Sequence, residues 1–329
     1  MTAQKVLVTG GTGFTGGHLC RRLAKEGHTV RTIVRNPDCA ANLIPYGIEI
    51  VKGDLRDPVS LRQAMQGVEL VYHIAALFRP ENVTSQDMWE INAQGAQNML
   101  EAAIQAGVKR FVHCSTIGVH GDVKHPPANE ESPYNPGDHY QKSKLEGELI
   151  AQRYMHEERL PITIVRPAGI YGPGDLRFLK LVRSIKSGKF VMIGSGKTRF
   201  HAVYIDDLVD GFLLCGNAEQ AVGNIYILAG EESVELNRMV KVIAEILRVS
   251  PPRWRVPYTP VYWAGYLCEI AFKPLGIHPP LYRRRVDFFK KTRFFDITKA
   301  KKHLSYAPKI DLKTGFERTI DWYCSEGLL

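Results

Sequence analysis

The first half of the chain alternates short apolar runs with amphipathic stretches. KVLVT (5–9), TVRTIV (29–34), IEIVKG (48–53), ELVYHIA (69–75), RFVHCS (110–115) and ITIVRP (162–167) are rich in β-branched and apolar residues. Such runs predict strands buried on both faces. Between them, Phe14 to Lys25 sets Leu19, Leu23 and Ala24 at helical spacing. Further helices are predicted around 58–66, from about 86 to 106 and from about 138 to 158. Strands and helices in this order specify an α/β fold, a doubly wound parallel sheet with helices on both faces.

After Tyr171-Gly-Pro-Gly the alternation stops. Helical spacing recurs at about 176–187, 206–216 and 234–248. In the last, Leu236, Met239, Val240, Ile243 and Leu247 share a face, and Ser233 stands where a cap is expected. From 250 to 295 the chain is rich in Pro, Tyr, Trp, Arg and Phe. The pattern divides the chain into a sheet domain over 1–170 and a smaller lobe over 171–329, interleaved with that sheet. Neither repeats nor low-complexity segments occur.

Composition narrows the class. With 44% hydrophobic and 23% charged residues, the chain has the make-up of an ordinary globular protein. MTAQ leads directly into the first strand, so no targeting segment is expected and a cytoplasmic location is. The longest membrane-like run, TPVYWAGYLCEIAF (259–272), is too short to span a bilayer and carries Glu269. Six cysteines lie far apart without a Cys-x-x-Cys, which argues against a zinc site or disulfide framework and for buried reduced thiols; no metal is expected.

The net charge of +9 suits nucleic acid, a membrane surface or an anionic cofactor. The basic residues are scattered, apart from Arg283–Arg285, Lys290-Lys291 and Lys301-Lys302, and no nucleic-acid motif accompanies them. Nucleic acid is therefore set aside. The arginine run reads first as a solvated face; with Trp263, Tyr266 and Phe272 upstream, peripheral contact with an anionic membrane surface stays open.

Chemistry enters at VLVTGGTGFTGGHL. Gly10, Gly13 and Gly16 form G-x-x-G-x-x-G, and Gly11, Gly13 and Gly16 form G-x-G-x-x-G, where the first strand meets the first helix. Glycines let the backbone turn tightly against a pyrophosphate, and the helix N-terminus offers that anion free N–H groups and a positive dipole. The second strand ends Val34-Arg35-Asn36, without the acid that would hold the ribose hydroxyls of NAD. Arg35 suits a 2′-phosphate, so NADP(H) is favoured, with NAD(H) the alternative.

YQKSK places Tyr140 and Lys144 at i, i+4 on one helix face. Fourteen tyrosines and twenty lysines among 329 residues give about one such Tyr-x-x-x-Lys by chance, so its context decides. That context resembles the extended short-chain dehydrogenase/reductase family, which also holds epimerases and dehydratases. TGGTGFTG (9–16), GDL (53–55), HIAA (73–76), INAQGAQNML (91–100), CST (114–116), YQKSK (140–144), RPAGIYGPGD (166–175) and FDITKAKKHLSYAPK (295–309) stand in family order over nearly the whole chain.

The resemblance implies roles. Gly10, Thr12, Gly13, Phe14, Thr15 and Gly16 are expected in the cofactor turn, Asp54 on the adenine with Leu55 packed against it, and Ala75 and Ala76 along the cofactor. Ser115, Pro167, Gly169 and Ile170 are expected to line the same site. Thr116, Tyr140 and Lys144 are the expected catalytic residues, with Asn92 supporting the lysine. His120 replaces the tyrosine usual in that turn and reads as a packing residue. A free tyrosine has a pKa near 10, which a neighbouring ammonium and an oxidised nicotinamide would lower, so Tyr140 could pass a proton to or from a substrate oxygen. A homodimer through the helices at 86–106 and 138–158 is also implied by the family.

The substrate is less defined. The strand reads Arg166-Pro-Ala-Gly169 where nucleotide-sugar members carry R-x-F-N, so their asparagine is missing. Asp287 to Asp296 is aromatic, with Phe288, Phe289, Phe294 and Phe295, and looks closer to the 3β-hydroxysteroid dehydrogenase and dihydroflavonol reductase branches. The expectation is a bulky hydrophobic, cyclic small-molecule alcohol or ketone, with those phenylalanines either lining its lobe or serving as core. The alternatives are a nucleotide-sugar epimerase or dehydratase with tightly held NAD, binding through Arg199, Lys197 or the late arginines, and a cofactor-sensing regulator on the same fold.

Overall fold

A computed structural model describes residues 3–78, 83–157, 159–272 and 280–329. The side chains of Arg284 and Arg285, part of the basic run noted above, lie outside the described residues. β1 (Lys5–Thr9), β2 (Thr29–Val34), β3 (Glu49–Lys52), β4 (Leu70–His73), β5 (Arg110–Cys114) and β6 (Ile162–Pro167) fall where the apolar runs predict them. So do α1 (Phe14–Lys25), α2 (Pro58–Ala64) and the later helix α5 (His139–His156). Pro37–Tyr46 winds as a 3-10 helix after β2.

Two features depart from the pattern. The single helix expected at 86–106 is three pieces: α3 (Ser85–Trp89), a π-helical turn over Glu90–Gln94, and α4 (Gly95–Gln105). A capping box between Thr84 and Asp87 starts it. The π turn holds Asn92, and such single turns recur at functional sites.

The other is a seventh strand. Beyond β6 come β7 (Gly169–Tyr171), α6 (Leu179–Lys186), β8 (Met192–Ile193), β9 (Arg199–Tyr204), α7 (Ile205–Asn217) and then β10 (Ile225–Leu228). The apolar run IYIL of β10 pairs in parallel with β6, giving the order β10-β6-β5-β4-β1-β2-β3. The chain reverses direction between β1 and β4, the switch point where doubly wound sheets bind ligands. β9 forms a three-stranded sheet with β7 and with β11 (Ser233–Glu235). α8 (Leu236–Ile246), β12 (Arg255–Val256), α9 (Tyr258–Phe272), α10 (Arg283–Asp287), α11 (Thr298–Leu304) and α12 (Leu312–Ser325) complete the fold.

Ser233 is not a helix cap. It lies in β11, where its hydroxyl accepts from Arg199 Nε at 2.8 Å, and α8 begins at Leu236 behind Glu235, which makes no side-chain cap. Ser233 stands two residues before the actual cap position, because its backbone is used in the pairing of β11 with β9. The thiol expectation holds for Cys20, Cys114 and Cys215, which are buried and free, whereas Cys39 and Cys324 are exposed.

Strand alternation sorts the core into two faces. Val6, Val8, Tyr72, Val112 and Val165 point to one side, where α1 and α7 pack. Leu7, Val71, Phe111 and Ile164 point to the other, beneath α2, α4 and α5. Each fully buried side chain of this size contributes about 1.5–3 kcal/mol. The second face also buries two histidines. His73 and His113 stack at 5.5 Å on β4 and β5, and Nδ1 of His73 lies 3.0 Å from Thr9 Oγ1.

Burial pulls His73 down to about 3 and His113 well below its ordinary 6.5, so both are neutral in the folded protein. Above pH 6.5 the unfolded chain is neutral there too and the burial costs nothing extra. Below it, the unfolded state binds protons that the folded state refuses. Stability is therefore lost as pH falls from 6.5 towards 3, by up to about 1.4 kcal/mol per pH unit for each histidine. Thermal midpoints measured from pH 8 to 4 should fall below pH 6.5, and His113→Leu should flatten that fall. A midpoint independent of pH down to 4 would contradict it.

Candidate active site

The turn after β1 is built for backbone approach. Gly10 has φ +76°, and a methyl on Gly16 would sit 2.2 Å from the Gly10 carbonyl oxygen. Gly13 caps α1 without any side-chain hydrogen bond, so the first N–H groups of a twelve-residue helix face the cleft uncapped by a side chain. These glycines fit a pyrophosphate. Thr9 ties the turn to the end of β4: its hydroxyl accepts from Ala75 N at 3.0 Å, and Ala75 packs against Gly10.

Around this turn lies a cleft of about 630 Å³. Gly10, Thr12, Gly13, Phe14, Thr15, Gly16, Arg35, Asp54, Leu55, Ala75 and Ala76 line one end, and Ser115, Thr116, Tyr140, Lys144, Pro167 and Ile170 the other. Two residues expected at the site stand outside this lining. Gly169 faces Phe200, whose ring would meet a methyl there at 2.4 Å. Asn92 holds the Leu77 backbone through both amide atoms (2.7 and 3.2 Å) and donates to Ser143 Oγ at 3.0 Å, so its hydrogen bonds reach the residue before Lys144 and not the lysine itself.

At the end of the cleft near β2 and β3, Asp54 is engaged by Arg56 through Nη2 (2.8 Å) and Nε (3.2 Å). That hydrogen bonding holds its carboxyl below the usual range, with Arg35 adding a weaker pull. Two guanidinium groups therefore surround the acid.

At the other end α5 presents three residues one turn apart, Tyr140, Lys144 and Glu148. Tyr140 begins the helix behind the Asp138 cap, and its ring meets Phe78 edge-on at 4.9 Å. Lys144 is buried and donates to the Cys114 carbonyl at the end of β5, 2.6 Å away. Burial lowers its pKa, with Cys114 and Glu148 opposing. Thr116 is half-buried in the cleft wall, and its Oγ1 accepts from Gly118 N at 3.0 Å.

Glu148 and Arg166, not among the residues expected at the site, form the base beneath it. Both are fully buried; Arg166 Nη2 lies 2.5 Å and Nε 3.1–3.2 Å from the carboxylate. Arg166 also donates to the Glu130 carbonyl (2.8 Å) and to Tyr134 Oη (2.9 Å). Ser115 donates to the same carboxylate, so its hydroxyl is turned into this cluster. His120 is there too, with Nε2 3.0 Å from Arg166 Nη1, which bears out the packing role. One further i+4 step beyond Lys144 was the sequence signal for Glu148; Leu77, Phe78, Leu176 and Arg177 come from loops with no period to reveal them.

The aromatic run lies elsewhere. Phe295 is buried, and Phe288 and Phe289 pack on Phe200 and Phe190, so they are core. Phe294 lies under the Arg199 guanidinium. None of the four lines the cleft among the described residues.

The model of the NAD dependent epimerase/dehydratase family matches residues 6–229. The chain is 31% identical to the 3beta-hydroxysteroid-dehydrogenase/decarboxylase isoform 1 of Arabidopsis thaliana, over 97% of this chain and 80% of the plant protein. It is 29% identical to the N-acetyl-alpha-D-glucosaminyl-diphospho-ditrans,octacis-undecaprenol 4-epimerase of Escherichia coli O157:H7, over 97% of this chain and 95% of that one. Among solved structures, the dTDP-glucose 4,6-dehydratase DesIV of Streptomyces venezuelae, with NAD and TYD bound, superposes with a TM-score of 0.78 at 26% identity, covering 99% of this chain and all of that one.

Removing Glu148 would leave the Arg166 guanidinium buried without its counter-charge, a change that typically costs about 3–5 kcal/mol. Glu148→Ala should lower the thermal midpoint by roughly 5 °C or more. An unchanged midpoint would show that the pair is not the base described here.

Proposed function

The chain belongs to the NAD dependent epimerase/dehydratase family, and within it we propose an oxidoreductase that interconverts a secondary alcohol and a ketone on a hydrophobic, cyclic substrate. NADP(H) is the preferred cofactor. The observation that carries this reading is one cleft in which the glycine turn and the Thr116–Tyr140–Lys144 group meet.

Gly10, Gly13 and Gly16 with the α1 N-terminus would hold the pyrophosphate, and Arg35, next to Asp54, the 2′-phosphate. The nicotinamide cofactor, when bound, supplies the hydride chemistry. The protein's own part is proton handling and orientation. The Tyr140 hydroxyl gives a proton to the ketone oxygen in reduction, and its phenolate takes the proton from the alcohol in oxidation. Lys144, anchored on the Cys114 carbonyl, places a cation one helical turn away and favours the phenolate. The Thr116 hydroxyl, steadied by Gly118 N, donates to the same substrate oxygen.

The substrate class rests on the wall near Tyr140. Leu77, Phe78, Ala168 and Leu176 make it largely apolar. Arg177, the guanidinium on that side, is held by Asp175 Oδ1 (2.6 Å) and the Ile170 carbonyl (2.5 Å). Arg199 is bound to Ser233 in a separate hollow of about 510 Å³. Both spend Nε and Nη2 on these protein partners, and Arg199 lies outside the lining of the cleft. The second reading, an epimerase that keeps its cofactor bound, is favoured by the Escherichia coli relative. We place the protein in the cytoplasm as a homodimer, using the exposed Trp89 and Leu149 of α3 and α5.

Purified protein offered NADP+ or NAD+ with steroid, flavonoid and alicyclic alcohols should change nicotinamide absorbance. Tyr140→Phe should lower kcat about 10²- to 10⁴-fold while cofactor binding persists. Full activity in that variant would remove Tyr140 from the chemistry and revive a cofactor-sensing role. Arg35→Asp should weaken NADP(H) at least about tenfold more than NAD(H). Equal losses would remove the basis for NADP(H).

A further inference from the structure

One helix of the lobe breaks the rule that surface helices are amphipathic. On α9, Pro260, Trp263, Ala264, Leu267, Ile270 and Ala271 recur at helical spacing, and every one is exposed. Trp263 is 55%, Leu267 63% and Ile270 51% exposed. The charged residue of α9 and its first tyrosine are engaged by α10. Glu269 pairs with Arg283 of α10 at 2.7 Å, and Tyr258 donates to Asp287 at 2.8 Å. The helix thus turns its charge to the protein and its apolar side to solvent.

The charge distribution says what covers that side. Between positions 248 and 293 the sequence has ten arginines and lysines against Glu269 and Asp287. That net +8 is nearly all of the chain's +9, although the segment is about one-seventh of its length. Arg253, Arg255 and Lys290 are exposed. Trp254, between the first two, is 74% exposed. Tryptophan and tyrosine with flanking Lys and Arg is the composition that settles at the headgroup level of a bilayer. A protein interface would share the aromatics and the arginines, so it is the concentration of net positive charge that selects an anionic lipid surface as the occupant. At fifteen residues α9 is too short to cross a membrane, and no described helix is long and apolar enough to do so.

We propose that α9 and the basic residues around it dock the protein onto an anionic lipid surface, with Trp263, Leu267 and Ile270 entering the headgroup region. The surface adjoins the catalytic helix. Lys291 lies beside Gly137, three residues before Tyr140, and the 292–294 segment hydrogen-bonds the loop at Val123 and Ala128. The proposal goes beyond the redox reading and stands without it, because it uses none of the cleft residues.

The test is co-flotation of the full chain with vesicles of phosphatidylcholine alone and of phosphatidylcholine with phosphatidylglycerol. Binding should be at least about tenfold stronger to the anionic vesicles and should weaken in high salt. The double variant W263S/L267S should lose at least about tenfold in binding while keeping its thermal midpoint and cofactor affinity. The single variant Lys290→Glu, further from the apolar stripe, should weaken anionic binding alone. Absence of binding to anionic vesicles, equal binding to both, or binding untouched by W263S/L267S would each overturn the proposal. So would concentration-dependent self-association that the double variant abolishes in place of vesicle binding, which would make the face an interface between copies.

Discussion

The site depends on how α5 is fixed to the sheet. Two charged residues of that helix, Lys144 and Glu148, are buried, and each finds a partner at a strand end: the Cys114 carbonyl of β5 and the Arg166 guanidinium of β6. Charges taken out of water are tolerated only when fully paired. That requirement leaves α5 one position along its axis. Tyr140, one turn further out, is thereby set at the mouth of the cleft. Ser115 and His120 join the same cluster, so the loop carrying Thr116 is held at both sides. The proposed catalytic group rests on a layer that cannot slip without stranding a charge.

Much of this was legible in the sequence. Six strands and the helices α1, α2 and α5 follow from periodicity, since buried parallel strands and amphipathic helices leave different signals. The glycine turn and the Tyr140–Lys144 spacing announced the cleft, and most residues named for it line it. What was missed has physical reasons. β10 is four residues long and its run IYIL carries no period that separates a strand from a buried turn of helix. The π turn at Asn92 leaves the helical pattern intact on either side. Asn92 was expected at Lys144; its hydrogen bonds go to the Leu77 loop and to Ser143, while Lys144 donates to the Cys114 carbonyl. Phe295 is core and Phe288 and Phe289 pack against it, the common fate of such residues, Phe294 lies under Arg199, and the apolar wall comes instead from the loops at 77–78 and 176.

The fold is shared by enzymes that release a reduced or oxidised product and by enzymes that return the hydride within one cycle, and fold alone does not choose between them. The choice rests on which side chains near Tyr140 are free to hold a substrate. Arg177 is tied to Asp175 and Ile170, Arg199 lies outside the lining of the cleft, and Leu77, Phe78, Ala168 and Leu176 give the wall near Tyr140 an apolar character. A lobe whose apolar helix faces outward beside the same loops fits a substrate that partitions into lipid, although the two claims are independent.

The most direct test of net hydride transfer is the fate of deuterium. NADPH labelled at nicotinamide C4 would be given to the protein with a hydrophobic cyclic ketone, and the product analysed by mass spectrometry. The account predicts one deuterium on the carbinol carbon of the released alcohol. Unlabelled ketone returned unchanged, with inversion of a nucleotide sugar by the same protein and no net change in its cofactor, would contradict it.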